Sequence, residues 1–113
     1  MRPIMIVDSR KRPNKQMPPE QEKEFHYWCN EIHAPDLLKG TGMTSVMRYR
    51  DRDGKGFLTI QEFESEEALE KYLVSERRKE LTKETQIHYP AGPDDFFDRT
   101  VRVFIPIMTK QRE

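Results

Sequence analysis

Apolar residues fall in short blocks whose spacing switches between period two and period 3.6. Ile4 to Val7 is a compact apolar run between Pro3 and Asp8 and predicts a first strand buried on both faces or nearly so. Arg10 to Pro19 carries three prolines and four cations and reads as a loop able to cover a cleft. Pro18, Pro19 and Glu20 then open a helix. Phe25, Trp28, Cys29 and Ile32 recur at i, i+3, i+4 and i+7 and form one apolar stripe on it. Pro35 disfavours helical geometry at Ala34, so the helix should end or bend near His33. Asp36, Leu37 and Leu38 add one turn before Gly40 and Gly42.

Thr44 to Arg50 reads as a strand, Asp51 to Gly56 as a turn, and Phe57 to Glu64 as the returning strand. Leu58 and Ile60 lie on one of its faces, Phe57 and Phe63 on the other. Ser65 caps a second helix with the stripe Ala68, Leu69, Tyr72 and Leu73, fading through the charged stretch 75–85. His88 to Asp98 is loop-like, and Thr100 to Met108 is a last strand whose Pro106 belongs at an edge or bulge. The order β-α-β-β-α-β predicts a single α+β domain over residues 1–113, ferredoxin-like, with an antiparallel sheet and both helices on one face. Its other face needs cover, which a second copy supplies.

Composition sharpens this picture. Apolar residues are 35% of the chain, against roughly 45–50% for typical domains. A core this thin again favours a homodimer. Twenty Lys and Arg balance twenty Asp and Glu, which argues against a nucleic-acid partner. A lone Cys29 suits a reducing compartment. The first residues are charged too soon for a signal peptide, and no run approaches the roughly 18 apolar residues of a membrane helix. The expectation is a cytoplasmic protein without a membrane partner.

Three constellations invite chemistry. Residues 51–62 place Asp51, Asp53, Gly56 and Glu62 at positions 1, 3, 6 and 12 of a calcium loop, but Lys55 stands where a ligand oxygen belongs and a strand precedes it. His26, Cys29 and His33 share one flank of the first helix, yet the two histidines are roughly 10 Å apart along its axis, too far for one ion. The expectation is therefore no metal and no cofactor, with Cys29 a small buried hydrophobe. His33, at the helix end, either faces a cleft as an acid or base or simply hydrogen-bonds the proline corner. Arg48 and Tyr49 alternate to opposite faces of their strand, so only one of them can line a given pocket. Tyr89, Phe96 and Phe97 are core or cavity wall, and Glu62 is a solvated acid or an inward carboxylate paired with Arg.

The segments WCNEIHAPDLL, GMTSVMRYR and GFLTIQEFESEEAL resemble the dimeric α/β-barrel superfamily, most closely its EthD-like branch, over Phe25 to Leu73. There a Trp-bearing helix and a His-x-Pro corner lead to an Arg-Tyr strand. The resemblance implies two subunits whose sheets close a shared barrel, with a ligand cleft in each. It also implies relatives such as cofactor-independent monooxygenases, muconolactone isomerases, polyketide cyclases and haem-degrading enzymes. His33, Trp28 and Tyr49 fall on the corner His, helix Trp and strand Tyr. The expected protein is a small homodimeric enzyme acting on an aromatic or apolar carbonyl or hydroxy compound. His33 is its acid–base group, Tyr49 orients or donates a hydrogen bond, and Trp28, Tyr89 and Phe96 bind substrate. The alternatives are a non-catalytic small-ligand-binding protein of the same fold and a calcium-binding module at 51–62.

Overall fold

The computed structural model describes residues 1–113. Four strands form one antiparallel sheet in the order β2-β3-β1-β4. They are β1 (Ile4–Lys11), β2 (Met43–Arg50), β3 (Gly56–Phe63) and β4 (Phe97–Phe104). The central pair β1 and β3 runs from Ile4 opposite Glu62 to Arg10 opposite Gly56. The helices cover one face, so the arrangement is the ferredoxin-like one.

Alternation decides which side chains meet the helices. Met5 and Phe63 point inward and join Leu37, Leu69, Tyr72 and Leu81 in the core. Ile6, Ile60 and Met47 are register partners on the outer face, as are Ile4 and Phe104. No helix covers that face, and Met47 and Phe104 stay 37% and 40% exposed.

The helices depart from sequence expectation in two places. The first, expected to end or bend near His33, continues through it with a change of helix type. α1 (Pro19–Tyr27) continues as a π-helix through Trp28–His33 and then as α2 (Ala34–Leu37). Ala34 keeps helical backbone angles although Pro35 follows it. The wider turn accommodates a proline that a tight α-turn would reject, and the Ala34 N–H reaches the Cys29 carbonyl five residues back.

The second helix does not fade. α3 (Glu66–Leu73), capped by the Ser65 hydroxyl, stops, and α4 (Glu76–His88) starts afresh because the Ser75 hydroxyl accepts the Arg78 N–H at 3.1 Å. The last strand begins at Phe97, three residues before the expected Thr100, and ends before Pro106, which cannot donate to a ladder. Arg10 and Lys11 belong to β1. The loop after them is clasped, with Arg12 donating to the Gly92 and Asp95 carbonyls and pairing with Asp98 at 3.0 Å.

The calcium reading fails on geometry. Residues 51–56 close a hairpin, with the Asp51 N–H on the Gly56 carbonyl at 2.9 Å. Six residues of extended strand then carry Glu62 roughly 20 Å away, where it accepts from Thr44 Oγ1 at 2.7 Å and pairs with Arg2.

The corner between α2 and β2 depends on two glycines with positive φ, Gly40 and Gly42. A Cβ at Gly42 would lie 3.0 Å from that of Ala68, whereas one at Gly40 meets open space. Gly40→Ala should therefore cost only the backbone term, about 1 kcal/mol. Gly42→Ala adds a clash and should cost about 2–4 kcal/mol in urea unfolding.

Candidate functional site

The π-turn builds the site. In an α-helix, residues five apart point about 140° away from each other. Spacing hydrogen bonds five residues apart lays such residues over one another instead. Trp28 and His33 accordingly stack, ring centroids 4.6 Å apart and planes within 11°. The same extra residue turns Ile32, expected in the apolar stripe, outward to 41% exposure. His33 takes the inward place. Arg77 of α4 fixes the corner by donating to the carbonyls of Asp36 at 2.9 Å and Lys39 at 3.0 Å.

Between helices and sheet lies a cavity of about 250 Å³ with a narrower lobe of about 70 Å³. His33, Gln61, Thr85, Tyr89 and Arg99 line both lobes. Trp28, Cys29 and Arg48 close the narrow lobe. The wide one opens past Thr82, Gln86 and Val101, where α4 faces the free edge of β4.

Burial pushes His33 down to about 4, assisted by Arg48 and Arg99 and opposed by Asp36. The ring is thus a neutral imidazole at neutral pH, and its Nδ1 is buried without a hydrogen-bond partner. Burial also raises the Cys29 thiol, which disfavours a thiolate nucleophile. Arg99 carries its charge into the cavity wall beside the buried Asp95, Nε 2.8 Å from Oδ2 and a second nitrogen 3.2 Å from Oδ1. Its Nε–H points off the carboxylate oxygen, so the short approach is an ion pair rather than a linear hydrogen bond. Arg48 crosses the narrow lobe, donating to Asn30 Oδ1 at 2.7 Å and meeting His26 Nδ1 at 3.2 Å, with Phe25 and Phe57 against its guanidinium. Arg48, which has no carboxylate partner, and one neutral imidazole make an environment suited to a group that gains negative charge, whereas the Arg99 charge is already met by Asp95.

The expected site residues divide. Trp28, His33 and Tyr89 converge, with Trp28 and Tyr89 rings 5.3 Å apart. Tyr49 does not join them. It pairs with Leu58 on the outer face of the sheet and is 53% exposed. Its neighbour Arg48 is the inward residue of that strand. Phe96 lies under the 12–17 loop beside Lys15 and Met17, away from His33, and Phe97 is the buried member of that pair. His26 and His33 keep separate company, His26 against Phe57 and Glu22.

Gln61 and Arg99 are the residues that sequence reasoning missed. Alternation puts Gln61 on the same face as Phe57 and Phe63, a polar residue where an apolar one is expected. Arg99 was hidden by starting the last strand one residue too late to include it.

No protein-family model matches the chain, and no curated protein sequence does. Solved structures do match. An EthD family protein from Bacillus halodurans C-125 is 16% identical, with 95% of this chain and 100% of that one covered and a TM-score of 0.63. A cofactor-independent oxygenase from Streptomyces nogalater is 11% identical over 95% of each chain, with a TM-score of 0.59. A monooxygenase from Streptomyces coelicolor, in complex with nanaomycin D, is 14% identical over 99% of this chain and 93% of that one, with a TM-score of 0.63. At these identities the likeness is one of fold. At that level it agrees with the resemblance carried by the Trp helix, the His-x-Pro corner and the Arg-Tyr strand.

Proposed function

We propose that this protein is a homodimeric enzyme that removes a proton from an aromatic or apolar carbonyl or hydroxy compound, the step common to an isomerase, a cyclase and a cofactor-free monooxygenase. The observation that carries this reading is the neutral His33 imidazole, stacked on Trp28 in a cavity whose other polar walls include Arg48 and Arg99. His33 takes the proton. The enolate or phenolate left behind faces the Arg48 guanidinium, which no carboxylate neutralises, in a space partly screened from water, where such a charge acts strongly. Trp28 and Tyr89 wall the substrate. A base with a pKa of about 4 is weak, so the fitting substrates have acidic protons, such as a phenol or a carbon between two carbonyls. The cofactor-independent oxygenase and the nanaomycin D-bound monooxygenase of the same fold support this class.

A second reading is a binding protein with the same cavity. It is favoured by the weakness of the base and by the neutralisation of Asp95, the buried carboxylate nearest the cavity, by Arg99. A co-purifying ligand recovered unchanged would support it over catalysis.

The proposed dimer would join through the outer sheet face, where Ile4, Ile6, Met47, Leu58, Ile60 and Phe104 form an apolar patch, bordered by Asp8, Glu62 and Arg102, that no helix covers. This adopts the shared barrel that the sequence resemblance implies.

Three measurements test these proposals. His33→Ala should lower turnover about 10²-fold, and an unchanged rate removes His33 from the mechanism. The His33 ring should titrate near pH 4 by NMR rather than near 6.5. Because the fold favours the neutral ring, the unfolded chain binds the extra proton between those values. The His33 contribution to stability is therefore complete above about pH 6.5 and is lost as pH falls towards 4. Sedimentation at micromolar concentration should show a dimer, and Ile60→Glu should yield a monomer; a monomeric wild type removes the barrel.

A further inference from the structure

We propose that Gln61 is the specificity-determining residue of the cavity and that it selects a ligand bearing a hydroxyl on an apolar body of about two fused rings. This rests on the reading of the cavity as a ligand site. Gln61 sits in the middle of β3, opposite Met5 on β1 and Val46 on β2, and is 5% exposed. Its row holds Phe57, Thr59 and Phe63, and Phe63, two residues on, is wholly buried. Its amide oxygen is buried and has no hydrogen-bond partner. A fold that needed only packing here would be better served by leucine, since a buried acceptor without a donor is a standing penalty.

Gln61 lines both lobes, so an occupant of the cavity packs against it. The second buried orphan is the Trp28 indole nitrogen, on the helix wall of the narrow lobe. Its polarity is opposite, an N–H without an acceptor. A hydroxyl suits either chemistry, since it can donate to an amide oxygen or accept from an indole N–H. Ligand size follows from volume. The lobes of about 250 and 70 Å³ together exceed the roughly 150 Å³ that holds a benzene. Val7 and Leu37, common to both lobes, supply the apolar contact. A site that offers a buried polar group to a hydroxyl rejects the analogue without one far more strongly than an apolar pocket discriminates a methylene.

The test uses 2-naphthol and naphthalene on the ¹⁵N-labelled protein. Trp28 is the sole tryptophan, so its indole N–H resonance reports binding without ambiguity. The wild type should bind 2-naphthol at least about 10-fold more tightly than naphthalene. Gln61→Leu should bind the two alike and melt about 4 °C or more higher, having lost an unpaired buried amide oxygen. Should the branched side chain disturb packing, Gln61→Met removes the same polar atoms on an unbranched chain and should give the same pattern. A preference for 2-naphthol that survives in these variants overturns the role of Gln61, as does a melting temperature that falls. Equal binding of both probes by the wild type overturns the hydroxyl selection alone. Failure of both probes to shift the Trp28 resonance overturns the ligand-site reading itself.

Discussion

One extra residue in a helical turn organises this molecule. Pro35 lacks the N–H that an α-helix would use and its ring crowds the turn before it. Breaking the helix at His33 would relieve both problems and leave the imidazole at a loose end. The chain instead widens the turn over Trp28–His33, keeps helical backbone angles at Ala34 and proceeds through the proline. The register of the whole helix face then shifts by one. Ile32 leaves the interior, His33 enters it, and the indole beneath gives the ring an extended surface to lie on. Single π-turns inside helices recur at functional sites. Here the physical reason is visible, since no α-turn brings residues 28 and 33 face to face.

Placement in turn sets the chemistry. The stacked ring is removed from water, and desolvation disfavours its charged form. Asp36 opposes this from the helix end, and Arg48 and Arg99 add smaller contributions in the same direction as burial. Asp95 holds the half-buried Arg99 at the cavity wall, and Asp95 is in turn anchored by the Phe97 N–H at 3.0 Å and by Arg12 on its carbonyl at 2.7 Å. The clasp between the 12–17 loop and the 92–98 segment is thus continuous with the cavity wall. The loop expected to be able to cover a cleft serves as part of the support for the Arg99 cation in the cavity wall.

The architecture was legible because it rests on periodicity. Alternation in β2 and β3, the Ser65 cap and the 51–56 turn each have a local cause, and the βαββαβ order follows from them. The site was half legible. Trp28, His33 and Tyr89 do converge, but Tyr49 points from the other face, since strand alternation admits one of Arg48 and Tyr49 and cannot say which. The π-turn left no pattern of its own. The apolar spacing of Phe25, Trp28, Cys29 and Ile32 fits an ordinary helix, and only the conflict with Pro35 hinted at a change. Gln61 was readable in principle, as the polar residue between Thr59 and Phe63 on an inward row. The clasp was not, because its partners are carbonyl groups, which every residue has.

Thin composition and open architecture have one origin. Only 15 of 113 residues are buried, because neither face of the sheet is filled by the chain itself. On the helix side, space is kept around His33 and Gln61 where further apolar side chains would have closed the core. On the outer side, an apolar layer is left without a helix. The free energy missing from the core is therefore available to whatever occupies those two places, since anything that binds the folded state alone stabilises it. A ligand in the cavity also relieves the unpaired Gln61 and Trp28 atoms, and so contributes more than its apolar area suggests. Under the proposed function, stability, assembly and ligand choice are in this way coupled through the same small set of unmet interactions.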